Sequence, residues 1–284
     1  MPNISLSTDG TQSDPSPGKP WVLPQDLSGY LDFLRFIAAF AVLLGHMDQD
    51  GFQTASWFPL AYLAHESVVV FFVMSGFIIY SSTMSRNHSW QQYYLARCAR
   101  IYSVAIPAVL FSLWVSTLVP QLIVDQQTIQ KLYHPFDWWV LFSSLLFLNQ
   151  SWSNTADLLV NGPYWSLCYE VWYYVFFGIY IFSPKSIRWP LLLLAALIAG
   201  PAILVLFPIW LMGAWRASRM PFLRTPSRTT AWAIFVSTVS FILLVRWFDI
   251  DVTIRQFLHQ AIPGFWRLNA SQRLVTDYLV GIAI

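Results

Sequence analysis

Charge is what this sequence has least of. Asp, Glu, Lys and Arg make up 11% of its 284 residues, where soluble domains carry about 25%, so an ordinary water-soluble fold is excluded and an integral membrane protein is indicated. No run of Lys and Arg offers an electrostatic footprint for DNA or RNA, so no nucleic-acid partner is expected. Cysteine is nearly absent. Cys98 and Cys168 are too few for a disulfide framework, neither has metal-ligand spacing, and no metal is expected. Also missing near Met1 is the basic stretch and short apolar core of a secretory signal, so the first hydrophobic helix is expected to act as the membrane anchor.

Hydrophobic residues are abundant, at 56%, with 18% aromatics, a balance suited to interfacial belts and bundle packing. Residues 1–25 are rich in Ser, Asp, Pro, Gly and Thr and read as a disordered N-terminal tail. Residues 26–284 read as one integral membrane domain. Its apolar runs lie at 31–47, 67–82, 101–119, 138–148, 164–182, 189–199, 202–215, 231–247 and 274–284. The expected fold is all-α, a polytopic transmembrane helix bundle of about 8–10 membrane segments. Pro107 should kink the third. The last run covers about 16 Å of a hydrocarbon core near 30 Å thick; it is either re-entrant or a span cut short. Truncation is the favoured reading, so the domain is expected to be incomplete at its C-terminal end.

Placement of Lys and Arg orients the spans. The loop 83–100 and the stretch 216–228 hold most of the cations, which predicts a cytoplasmic N-terminus in a multi-pass protein of the cell (inner or plasma) membrane. One conflict remains. If 138–148 spans, Lys185 and Arg188 fall outside; if that run is re-entrant or interfacial, every cation agrees. Eleven residues are short enough for the second reading.

Within this apolar frame a few ionisable side chains stand out, since each is expensive at membrane depth. Arg35 and His46 lie eleven residues apart in the first run: three turns plus about 20°, hence one face, separated by about 16 Å. His46 suits proton transfer at a hydroxyl or is a buried histidine bonded to a neighbouring helix. Asp32, one turn before Arg35, makes an i,i+3 pair that would neutralise it. Arg97 and Arg100, three apart, either converge on one anion as planar forked donors or form a juxtamembrane pair attracted to anionic lipid head groups. Glu170, in an aromatic helix without an internal cation, needs a partner, a proton or water. Ser166, after Trp165, is a weaker candidate because helix serines bond back to the preceding turn. Ser75-Gly76 reads first as a close-packing point. His65-Glu66 is a proton-handling pair or a solvated helix start.

Four stretches together resemble the membrane-bound acyltransferase 3 family: Leu31-Asp32-Phe33-Leu34-Arg35-Phe36 running on to His46, Phe71-Phe72-Val73-Met74-Ser75-Gly76-Phe77, Arg97-Cys98-Ala99-Arg100, and Trp165-Ser166-Leu167-Cys168-Tyr169-Glu170. They span residues 28–182. The family includes bacterial enzymes that O-acetylate surface polysaccharides, lipopolysaccharide, peptidoglycan and some antibiotics. The resemblance implies Arg35 and His46 as an essential pair, Arg97 and Arg100 as ligands of the acyl donor, and Glu170 as the motif glutamate. Asp32, Ser75, Trp165 and Ser166 would be structural or line the substrate. The implied activity is transfer of an acyl group, acetyl from acetyl-CoA as co-substrate, to a hydroxyl of a glycan or related acceptor, with membrane lipid around the bundle. Glu170 would orient His46 or bind the acceptor. The rival reading is a transporter or proton-coupled carrier, for which intramembrane His, Glu and Arg are equally natural; no inverted repeat is evident between the two halves.

Overall fold

The computed structural model describes residues 25–47, 58–86, 89–122, 137–152, 158, 161–220, 227–248, 250–261 and 274–283. Helix α1 is Gln25–Met47. A 3-10 turn, Pro59–Leu63, leads into α2, Ala64–Met84. Then come α3, Trp90–Leu122; α4, Trp138–Leu145; a second 3-10 turn, Gly162–Tyr164; and α5, Trp165–Phe182. The remaining helices are α6, Lys185–Ala199; α7, Pro201–Arg219; α8, Arg228–Trp247; α9, Ile250–Ala261; and α10, Leu274–Ala283. Among the described residues there is no strand, only an isolated bridge between Leu158 and Asn161. Helices α1, α2, α3, α7 and α8 are each long and apolar enough to cross a bilayer. The chain is therefore an all-α, multi-pass membrane bundle; of the sequence-predicted tail at 1–25, residues 1–24 lie outside the described residues and Gln25 opens α1.

Helix α2 is the centre. Its Phe72, Val73, Met74, Ser75, Gly76 and Phe77 are all buried, and its main partner is α7. Between helices in lipid the driving force is close packing rather than removal of water, and here two glycines supply it reciprocally. A Cβ on Gly76 would run into the Trp210 carbonyl, and one on Gly213 into the Val73 carbonyl. By contrast α1, α3 and α8 carry exposed apolar side chains such as Phe33, Phe36, Leu110, Trp232 and Phe235. Such a surface suits lipid as its solvent.

Side-chain contacts fix the relative directions of the helices at the centre. Gly45 abuts Ala64 close to the turn joining α1 to α2, so these two run antiparallel. Tyr94 of α3 abuts Gly178 of α5, while Ser112 accepts a hydrogen bond from Asn161, just before α5, at 3.1 Å; α3 and α5 are antiparallel. Tyr173 meets Phe207, and Phe177 meets Trp210, so α5 and α7 are parallel. Phe72 meets Trp165 and Tyr80 meets Phe177, so α2 is parallel to α5 as well, and Arg86, Lys185, Arg188, Arg216 and Arg219 gather at one end of the bundle, together with the α3 start that bears Arg97 and Arg100.

This also decides the role of 138–148. Helix α4 has eight residues, about 12 Å, and cannot span. Leu145 reaches the level of Tyr102, and the chain is back at Ser112 by Asn161, about 15 Å higher on α3. The segment is re-entrant. Irregular backbone at such depth survives only where protein satisfies its polar groups, and three carbonyls here are capped by side chains. Tyr164 donates to Ser144 O at 3.0 Å, Tyr102 to Leu145 O at 3.1 Å, and both Cys168 Sγ and Trp172 Nε1 to Phe147 O at 2.9 Å. Phe147 and Trp152 both hold left-handed backbone (φ 56° each), which is unusual for aromatic residues. At the α6–α7 corner Gly200 has φ +83°, and a Cβ there would lie 2.6 Å from Trp152 N, so both the conformation and the contact call for glycine.

Two boundaries differ from the sequence reading. Helix α3 starts at Trp90 rather than 101 and continues through Pro107 as one helix; polar and basic residues extend a helix that the hydropathy run alone truncates. Helix α9 lies between the apolar runs 231–247 and 274–284, where no run marked a helix.

Candidate functional site

Where α1, α2, α3, α5 and α7 meet, the structure assembles a polar cluster inside the apolar bundle. Glu170 is one turn before Tyr174 on α5, so both point to the same face, and the Tyr174 hydroxyl donates to Glu170 Oε1. Ser75 Oγ, from α2, donates to the same oxygen at 3.1 Å. Trp210 Nε1, from α7, donates to Ser75 Oγ at 3.2 Å. The Ser75 hydroxyl thus accepts from one helix and gives its single proton to another. Trp210 is fully buried, so its indole N–H needs this acceptor.

Three guanidiniums surround the cluster. Arg97 lies over the rings of both Tyr93 and Tyr174, 5.9 Å from each centroid, while Tyr93 in turn donates to Tyr174 O at 3.1 Å. Arg97 Nε is buried and has no hydrogen-bond partner among the described residues. Arg100 is exposed and within electrostatic reach of Tyr174 and Arg35. Arg35 feels both Glu170 and Tyr174. Its level follows from helix geometry. Ten residues back along α1 from the Gly45–Ala64 contact, and ten on along the antiparallel α2, the count puts Arg35 at about the level of Met74 and Ser75. Arg35 on α1 is thus a cation within electrostatic reach of Glu170, while its direct ion pair is with Asp32.

His46 belongs to the other end. It neighbours Gly45 at the α1–α2 contact, about 16 Å along the axis from Arg35. Close by, His65 Nε2 pairs with Asp277 of α10 at 2.7 Å, where Asp277 is 4% exposed and His65 34%. His65 thus pairs with a carboxylate remote in sequence as well as standing next to Glu66.

Of the other sequence-predicted residues, Asp32 pairs with Arg35 at 3.5 Å and is 68% exposed, the i,i+3 contact expected and one worth little by itself. Trp165 packs edge-on against Phe72 and Tyr169. Ser166 bonds back to Pro163 O at 3.1 Å, closing the junction of the 3-10 turn with α5. No group of three or more His, Cys, Asp or Glu able to hold a metal occurs among the described residues. Sequence reasoning overlooked Tyr174, Trp210 and Asp277. The i,i+4 spacing of Glu170 and Tyr174 could have revealed the first. The other two depend on helix packing and left no local signal.

The cluster offers an anion-attracting end, a carboxylate held by two hydroxyls and, three turns away, a histidine. A family model described as an acyltransferase domain matches residues 28–265. No curated protein and no solved structure matches the chain. Since the matched span takes in every helix that builds the cluster, the chain belongs to the acyltransferase 3 family.

Proposed function

We propose that this member of an acyltransferase family transfers an acyl group, acetyl from acetyl-CoA, to a hydroxyl of a carbohydrate or related acceptor. The observation that carries this reading is the Glu170–Ser75–Tyr174 cluster midway through the bundle, with Arg97 and Arg100 on its cation-rich side and Arg35 within electrostatic reach. Planar guanidiniums match phosphate oxygens in pairs, and the unpartnered Nε of Arg97 is a donor that a bound anion would satisfy. By the positive-inside rule this end faces the cytoplasm, the N-terminus with it, in the inner or plasma membrane. Acetyl-CoA would enter there, with Arg97 and Arg100 on its phosphates.

The acceptor would arrive from the opposite side, at His46. As the acceptor oxygen attacks the thioester carbonyl, His46 takes its proton; the carbon–sulfur bond breaks and the thiolate leaves as the CoA thiol once protonated. The separation of about 16 Å between Arg35 and His46 supports a donor-binding or structural role for Arg35 over one at the carbonyl oxygen. Glu170, held by Ser75 and Tyr174 with Arg97 over the Tyr174 ring, fits a role in shaping the inner end of the donor channel better than contact with His46.

The test is a thermal-shift titration of detergent-purified protein with acetyl-CoA, run beside Arg97→Ala/Arg100→Ala and His46→Ala, with transfer to a hydroxylated acceptor measured in parallel. Ligand at 100 times its dissociation constant stabilises by about 2.7 kcal/mol. The parent and His46→Ala should both shift and the double arginine variant should not, while His46→Ala loses transfer. No shift in a well-folded parent, with no transfer, would remove acetyl-CoA as donor and move the carrier reading forward.

A further inference from the structure

A groove of about 740 Å³ opens between the ends of α2, α5, α6 and α7 on the cation-rich side, and neither the polar cluster nor the acyl-transfer reading uses it. Its walls are apolar and aromatic, and no carboxylate lines it. Along α7 it runs from Leu204 to Ser218, about 21 Å at 1.5 Å per residue. That reaches from one interface past the middle of a hydrocarbon core about 30 Å thick, the depth of a lipid chain from one leaflet. Tyr180, Trp189 and Trp215 stand exposed at the mouth, so it opens towards lipid.

Two arginines are fixed on that mouth by the rings that line it. Arg188 lies over Tyr180 at 5.1 Å and Arg219 over Trp215 at 5.8 Å. Arg188 Nη2 donates to Ser183 O at 3.2 Å, which anchors the guanidinium, while its buried Nε has no hydrogen-bond partner among the described residues. Lys185 precedes Arg188 by one helical turn. We propose that this groove binds an anionic phospholipid, one acyl chain lying along α7 and the head-group phosphate held by Arg188 and Arg219. Basic pockets between membrane helices recognise phospholipid head groups in this way, and ring-stacked guanidiniums lose little freedom when the phosphate arrives. The site is separate from the polar cluster, because Phe177 and Trp210, with ring centroids 5.4 Å apart, stand between them.

The test uses the detergent-purified chain and reads thermal stabilisation against dioleoylphosphatidylglycerol, dioleoylphosphatidylcholine and palmitoyl-CoA. In the parent, half-maximal stabilisation should need at least tenfold less phosphatidylglycerol than phosphatidylcholine. Arg188→Gln/Arg219→Gln should abolish that preference. Filling the groove with Ala196→Trp, or with Leu211→Trp should the first not fold, should remove stabilisation by both lipids. Equal response to the two lipids in the parent, no response to either, or a preference that survives the arginine changes would overturn the proposal. So would phosphatidylglycerol binding that survives a filled groove. Palmitoyl-CoA acting at lower concentration than phosphatidylglycerol, with loss in the groove-filled variant, would make the groove a site for a donor's chain instead. None of these readouts depends on acetyl transfer.

Discussion

Ser75 shows how a residue that reads as a small packing spacer acquires a chemical part. Its hydroxyl lies between Trp210 Nε1 and Glu170 Oε1, linking three helices through two hydrogen bonds. Ser75→Ala should therefore do more than remove a hydrogen bond. It leaves the buried indole N–H without an acceptor, and an unsatisfied buried donor costs about 1–3 kcal/mol. Thermal unfolding in detergent should show this loss, and an unchanged midpoint would mean that the hydrogen bond contributes nothing. Tyr174→Phe separates stability from donor binding. The ring, and with it the platform for Arg97, is retained, while the hydroxyl on Glu170 is lost. We expect acetyl-CoA affinity to fall less than in Arg97→Ala, read from the same thermal-shift titration.

At the scale of helices, the α2–α7 contact depends on backbone approaching backbone. Gly76→Ala and Gly213→Ala each place a methyl group against a carbonyl of the facing helix, where no flexible side chain can give way. Overpacking of this kind costs about 1–3 kcal/mol, and since Ser75 and Trp210 are part of the same contact, transfer activity should fall with stability in both variants. The re-entrant segment is the second sensitive element. Trp172→Phe keeps the aromatic volume but removes one donor from Phe147 O, leaving Cys168 alone on that carbonyl. A loss of about 0.5–1.5 kcal/mol is expected, measured as a lower unfolding midpoint.

For the whole molecule the prediction concerns sidedness. The exposed Cys98 lies at the cation-rich end and should react with an impermeant maleimide only from the cytoplasmic side. A cysteine introduced at Asp137 in a Cys98→Ser background should react only from the opposite side, and one at Lys185 from the same side as Cys98. Labelling of positions 137 and 185 from one side would mean that the re-entrant segment spans after all.

Much of this was legible along the chain. Scarcity of charge forces a membrane bundle because each buried ion is costly, and the same cost makes Arg35, His46, Arg97, Arg100 and Glu170 conspicuous against their apolar surroundings. The shared face of Arg35 and His46 and the Asp32–Arg35 pair follow from helical spacing alone. Other features were not legible. Hydropathy stops where charge begins, so it truncated α3 at 101 and hid the fact that Arg97 and Arg100 ride on a continuous helix. A run of eleven apolar residues does not reveal whether it crosses or returns, because that depends on whether Tyr102, Tyr164 and Trp172 are present to cap its carbonyls. Sequence by itself determined the all-α membrane class and which side chains are chemically exceptional, since both follow from local composition and spacing. Only the tertiary structure decided their grouping, with Glu170 on Ser75 and Tyr174, Arg35 within electrostatic reach, and His65 on Asp277. Those distances depend on how helices far apart in sequence pack, and the glycines at 76 and 213 fix that packing between α2 and α7.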